Sequence, residues 1–368
     1  MDKRKLLDHA EPIESLYQII ENRMLLEIAT ILSTGNGLID LVEGGAEYAP
    51  HWRIEKLNQL PQLNSNNIRM IAEHSRKTEK QVRKQLEVAG FKAVDDIEHA
   101  FKPNPNVPSP RNSSSLYQVI DGYTSQATKS LNMVNATMIN SIGQKYLDTI
   151  NIAVAGVIAG NDNLAQTMQK VVDNIGSGAT ALIDKQGNRW KPDVYANTII
   201  RSTISNTANS MQDARFDEYG VDLVQVTAHG GARPLCAPYQ GRIYSRSGGH
   251  PRYPDLGSTS MGQAAGLFGI NCGHFKFPYY EGMSPIVSKE TLSDINENND
   301  ELYKQMQYQR SLENKIRQSK REHAIAQKLG YQEEIDKANA RTRKLQEDTR
   351  QFTEATGLRR RYDREKLY

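Results

Sequence analysis

Both cysteines of this chain and most of its unusual residue choices fall within residues 226–284, and that stretch limits what the remainder can be. It reads Val226-Thr-Ala-His229-Gly230-Gly231-Ala-Arg233-Pro234-Leu-Cys236-Ala-Pro238-Tyr-Gln240-Gly241-Arg-Ile-Tyr244-Ser245, then a Gly/Pro/Ser/Tyr-rich link, then Gly266-Leu-Phe-Gly-Ile-Asn271-Cys272-Gly273-His274-Phe-Lys-Phe-Pro278-Tyr-Tyr-Glu281-Gly282-Met-Ser284. Residues 221–226 are rich in β-branched side chains and run into Gly230-Gly231, the pattern of a strand ending in a tight loop where positive φ is needed. Cys272 and His274 stand two apart, so an extended segment projects both from one face, with His229 and Cys236 across the loop. Two thiols and two imidazoles make a complete tetrahedral set for zinc: His229, Cys236, Cys272 and His274. A closed set of this kind, with no position left for water, is structural. The same residues also fit two buried reduced cysteines beside hydrogen-bonded histidines, a disulfide, or a Cys–His nucleophile whose oxyanion site the sequence does not locate.

The run from His229 through Gly-Ala-Arg-Pro, Cys236-Ala, Tyr-Gln-Gly and Tyr-Ser, followed by Asn271-Cys272-Gly273-His274 and Pro-Tyr, Glu-Gly and Ser, resembles the phage minor capsid protein 2 family. Its members resemble the portal-associated head morphogenesis proteins of tailed phages, and the order of the flanking segments agrees over most of the chain. Family members often carry His where this chain has Cys236, an exchange that keeps metal-ligand character, and Arg where it has Gly273. The resemblance implies a non-enzymatic structural protein of the virion, at the portal vertex or head interior, acting in head assembly, DNA packaging or ejection. Implied partners are the portal protein, the major capsid protein or both, with non-specific contact to packaged DNA, several copies per virion, and the host cytoplasm as the place of assembly.

Composition fits long polar helices. The 368 residues suffice for two or three domains, yet hydrophobic residues make up only 38% and the mean hydropathy is −0.64, as expected where narrow helices expose most of their surface. Lys and Arg number 46 against 43 Asp and Glu, a net +3, so wholesale coating of nucleic acid is not indicated. The opening residues lack an apolar run of signal-peptide length, and no later run reaches a membrane span. The expected fold class is mainly α with a small α+β module: long helices and hairpins around a compact, zinc-stabilised domain near residues 220–284. Composition divides the chain into an N-terminal helical domain (1–100), a Pro/Ser-rich linker (101–115), a helical region (116–219), the α+β module (220–284) and a charged helical hairpin or coiled coil (285–368).

Within that frame, apolar residues at helical spacing predict a helix over 13–32 that ends at Gly35-Asn-Gly37. A short helix is expected over 52–60, stopped by Pro61. Residues 66–90 read as two helices joined near Ser75, and their basic residues Arg69, Arg76, Lys77, Lys80, Arg83 and Lys84 resemble a helix-turn-helix, an alternative DNA-binding function. The prolines of 101–115 suggest an extended tether. Long helices broken near Gly160 and at Gly176-Ser-Gly178 follow, then a turn over 184–192 and a helix over 194–219 on which Arg201 and Arg215 are read as solvated. The C-terminal Arg359-Arg360-Arg361, Arg364 and Lys366 form a cationic cluster suited to phosphate or to a frayed, solvated end. A further alternative is a zinc-dependent hydrolase or nuclease built on His229, Arg233, Cys236, Cys272 and His274, for which Glu281 and Asp255 are the nearby carboxylates.

Overall fold

A computed structural model describes residues 10–368 apart from Gln186, and the backbone alone of Arg76 and Lys77. The polar start of the chain (residues 1–9) and the side chains of those two basic residues lie outside the described residues. The chain is mainly α with a small sheet component. In order come α1 (Glu11–Ser33), α2 (Leu38–Leu57), α3 (Leu60–Glu98), α4 (Ser114–Ile158), α5 (Leu164–Gly176), the hairpin β1 (Leu182–Ile183) and β2 (Arg189–Trp190), and α6 (Pro192–Glu218). Strands β3 (Leu223–Val226), β4 (Ile243–Ser245) and β5 (Lys276–Pro278) follow, then α7 (Lys289–Glu297), α8 (Asn299–Leu329) and α9 (Gln332–Thr356). No single helix among the described residues is long and apolar enough to cross a membrane.

The residues group into two compact units, each drawn from separated pieces of chain. Unit one holds the described residues up to Ile13, Lys77–Leu131 and Ala196–Gln307; unit two holds Glu14–Arg76, Asn132–Tyr195 and Tyr308–Tyr368.

Unit two is a helical body. Ile20, Met24, Leu25, Ile28 and Leu32 recur at three- and four-residue spacing on α1, and this face packs with Trp52, Met138, Ile142, Tyr146, Val171 and Ile325. Each such buried side chain contributes about 1.5–3 kcal/mol. Trp52 is fully buried, and its indole donates to the carbonyls of Asn36 and Gly37 at 2.9 and 3.0 Å. Lys56, also buried, donates to the carbonyls of Ile31 and Thr34 at 3.3 and 2.9 Å, satisfying groups that the end of α1 leaves open. Helices α8 and α9 form the expected hairpin at Gly330, joined by small polar side chains: Thr342 donates to Ser319 at 2.9 Å, and Ser319 to the carbonyl of Ala338 at 3.1 Å.

Unit one combines the parts of α3, α4 and α6 that fall within Lys77–Leu131 and Ala196–Gln307 with a three-stranded sheet of order β4-β3-β5, both pairings antiparallel. The central strand β3 is buried at every residue, as a strand paired on both edges beneath helices should be. Its Val224 sits opposite Tyr244 on one side and Pro278 on the other. Val224 and Val226 join Ile97, Phe101, Phe216, Leu256 and Leu267 in one apolar cluster that also takes in Cys236 and Cys272. Close approach of α3 and α6 depends on Gly90, where a Cβ would fall 2.2 Å from Met211 Sδ.

Several expectations are corrected here. Residues 66–90 lie inside the single helix α3, with no turn at Ser75, so the helix-turn-helix reading loses its structural basis. The Ser75 hydroxyl donates back to the Ile71 carbonyl at 2.9 Å instead of redirecting the chain. Pro61 stands in the first turn of α3, where its missing N–H costs nothing, and therefore opens a helix instead of stopping one. The segment 101–115 is no free tether, because Phe101 stacks on Tyr219 at 4.3 Å, Arg111 pairs with Asp95 at 2.8 Å, and Ser113 donates to Glu218 at 3.0 Å. Arg215 is fully buried, held by Glu98, Glu218 and the carbonyl of Pro108, and is not a solvated surface residue. The C-terminal basic cluster is neither frayed nor bare: Arg360 pairs with Glu365 at 2.6 Å and Arg361 with Asp363 at 2.9 Å.

Candidate metal centre

The cysteines and His274 come together in unit one from two separate pieces of backbone. Cys236 begins a short 3-10 turn, Ala237–Tyr239, in the loop between β3 and β4. Cys272 and His274 sit on the extended approach to β5, and one N–H to O=C bond, Thr227 to Phe275 at 2.9 Å, prolongs the sheet beside them. The loop before Cys272 is tightly coiled. At Gly266 a Cβ would lie 1.9 Å from the Ser260 carbonyl oxygen, and Phe268 and Asn271 adopt positive φ of 57° and 56°. Helix α6 fixes the backbone from behind: Ser205 donates to the Cys272 carbonyl at 2.9 Å and Asn209 to the His274 carbonyl at 3.2 Å.

The result is a compact donor set. Cys236 Sγ and Cys272 Sγ are 3.9 Å apart, and Cys272 Sγ is 3.3 Å from His274 Nδ1. Each residue supplies a ligand atom within 4.8 Å of the others, and all three are buried. The other imidazole nitrogen, His274 Nε2, lies 3.1 Å from Gln240 Oε1, which also accepts the His229 N–H at 3.0 Å. Gln240 in turn donates to Asn296 Oδ1 at 2.9 Å. With its amide oriented by those contacts, Gln240 accepts the Nε2 proton and leaves the Nδ1 lone pair of His274 facing the sulfurs.

The fourth sequence-predicted residue stands differently. His229 stacks its ring on that of His274, centroids 4.4 Å apart and 23° from parallel, with Nδ1 3.1 Å from the Gly230 carbonyl. The structure thus brings Cys236, Cys272 and His274 into one ligand-competent cluster and sets His229 against its imidazole face. Arg233 approaches from the other side, its Nη2 3.8 Å from Cys236 Sγ, while donating to the carbonyls of Ile270 and Gly266 at 2.6 and 3.2 Å. Gln240 and Asn296 escaped sequence reasoning as site residues. Gln240 lies inside the quoted motif, but nothing in its spacing ties it to His274.

The electrostatics are unequal. The hydrogen bond from the Cys236 thiol lowers the Cys272 pKa, His274 acts in the same direction, and burial opposes them. The same sulfur–sulfur bond, together with burial, raises that of Cys236. Two sulfurs and one imidazole nitrogen at such separations are donors that suit a soft divalent ion. For catalysis the surroundings are poor: Glu281 is engaged by Arg252 and lies 3.6 Å from His250, and Asp255 caps the 3-10 turn at Leu256–Ser258.

The phage minor capsid protein 2 family matches residues 1–354. A structural protein of Lactococcus phage LL-H is 29% identical over 374 aligned residues, covering 96% of this chain and 98% of the relative. A structural protein of Lactococcus phage mv4 is 32% identical over 121 residues, covering 32% of this chain and 94% of that relative. No solved structure matches. With the family spanning nearly the whole length and a structural protein of a phage aligned almost end to end, this chain belongs to the phage minor capsid protein 2 family.

Proposed function

We propose that the protein is a non-enzymatic component of a tailed-phage head, placed at the portal vertex or head interior, where it serves head assembly, DNA packaging or ejection. The end-to-end match to a phage structural protein carries this reading. The architecture supports it, since long helices with polar exposed faces suit contacts repeated along a multimeric assembly. The donor cluster also supports it, because its residues are buried and the neighbouring carboxylates are held by other partners. A hydrolytic zinc site needs a carboxylate poised as base. The partners in this reading are the portal protein, the major capsid protein or both. Several copies act per virion, and any contact with packaged DNA is non-specific.

Coexpression with the portal protein and with the major capsid protein of the same phage tests this directly. Co-purification of the chain with either in a defined stoichiometry, and its presence in several copies in purified particles, is the expected result. Absence from particles, with persistent monomer in both coexpressions, would overturn it.

A further inference from the structure

We propose that Cys236 Sγ, Cys272 Sγ and His274 Nδ1 are the three protein ligands of one zinc ion, that Gln240 is the positioning residue of the site, and that His229 stands outside the ligand set. The geometry of the donors argues for it. Zinc–sulfur bonds of about 2.3 Å and zinc–nitrogen bonds of about 2.0–2.1 Å at tetrahedral angles place two sulfurs about 3.8 Å apart and a sulfur and a nitrogen about 3.6 Å apart. The observed separations are 3.9 Å and 3.3 Å. A disulfide would instead bring the sulfurs to about 2.05 Å.

The surroundings are those of a metal ligand with its outer support in place. A ligating imidazole generally donates its second N–H to an acceptor that fixes tautomer and ring orientation. His274 Nε2 has such an acceptor in Gln240 Oε1 at 3.1 Å, and Asn296 fixes the Gln240 amide at 2.9 Å. The ligand backbone is likewise held, by Ser205 and Asn209 from α6. His229 is set apart because its ring lies flat against His274 and its Nδ1 faces the Gly230 carbonyl. The ion would tie the β3–β4 loop to the approach of β5, two segments whose cysteines are 36 positions apart.

The proposal does not depend on where the protein sits in a virion. Its test uses the full chain, purified under reducing conditions from zinc-supplemented cells and passed over a chelating resin. Elemental analysis should find about one zinc per chain, and cobalt exchanged into the site should show sulfur-to-cobalt charge transfer with tetrahedral d–d bands. Cys272→Ser and His274→Ala should lose the metal. Because either variant can fail to fold, Gln240→Ala is the second arm: with the circular dichroism of the parent, it should bind zinc about 10–100-fold more weakly in chelator competition. His229→Ala should keep the parental stoichiometry. Three results would each overturn the assignment: metal-free protein whose melting is indifferent to zinc and chelator, a Cys236–Cys272 disulfide in the isolated protein, or loss of zinc from His229→Ala.

Discussion

Glu21 and Arg321 lie 300 positions apart in the chain and meet as an ion pair at 3.1 Å inside unit two, with both side chains buried. Glu21 also accepts the Ala179 N–H at 2.8 Å, and Arg321 donates to Asn22 at 2.9 Å. The pair therefore joins α1, α8 and the turn that follows α5. Removing one partner strands a desolvated charge, which costs more than the pair contributes as a unit. Glu21→Ala should lower stability by about 3–5 kcal/mol, measured by urea denaturation. Replacing both residues by Met should recover much of that loss.

The loop before Cys272 should tolerate no side chain at Gly266. A methyl group there would meet the Ser260 carbonyl oxygen at 1.9 Å, a backbone atom that no rotamer change can move. Gly266→Ala should destabilise the protein by about 3 kcal/mol or more, in the range where overpacking and backbone displacement combine. A second effect should appear as faster reaction of Cys272 with a thiol reagent under native conditions. Native-like stability in Gly266→Ala would contradict the close packing of this loop.

Asp222 gives the sheet an acid-sensitive corner. Burial tends to raise its pKa, but the Ser247 N–H at 2.7 Å and the Ser245 hydroxyl at 2.8 Å outweigh burial and hold it below its ordinary value. The folded state thus binds fewer protons here than the unfolded chain. The resulting stabilisation is present above the unfolded value of about 3.9 and is lost as the pH falls through the lower folded value. Asp222→Asn should cost about 1–2 kcal/mol at pH 7, and thermal melts should show the gap to the parent narrowing below about pH 4.

The C-terminal arginines should matter more to folding than to DNA. Arg360 makes two bonds to Glu365, at 2.6 and 2.8 Å, and Glu365 is only 2% exposed. Arg361 pairs with Asp363 at 2.9 Å. Arg360→Gln should lower stability by about 1–3 kcal/mol, because it leaves a buried carboxylate short of donors. Non-specific DNA affinity of Arg360→Gln with Arg361→Gln should stay within about twofold, with little change in the salt slope. A steep loss of DNA binding, read by filter binding across salt concentrations, would show these cations to be available to phosphate.

Much of the local structure was legible in the residues. The spacing of Ile20, Met24, Ile28 and Leu32 defines a helix before any partner is known, and Gly160, Gly178 and Gly330 fall at the observed breaks, where the chain must leave helical φ. The β-branched run before Gly230 is the central strand. Cys272 and His274, two apart on extended chain, do share one face. The continuity of α3 was harder to read, since Ser75 and Thr78 look like a turn and a cap, yet both residue types are tolerated inside a helix whose other positions favour it.

What the sequence alone determined, then, was the type of each element and the residues able to serve as soft-metal donors, because helical and strand periodicities and donor chemistry are properties of short stretches. Tertiary structure decided which distant residues meet. It buried Arg215 against Glu98, paired Glu21 with Arg321, placed Gln240 behind His274, and set His229 beside the sulfur cluster. Those outcomes depend on desolvation and close approach between segments far apart in the chain, quantities that no local pattern carries.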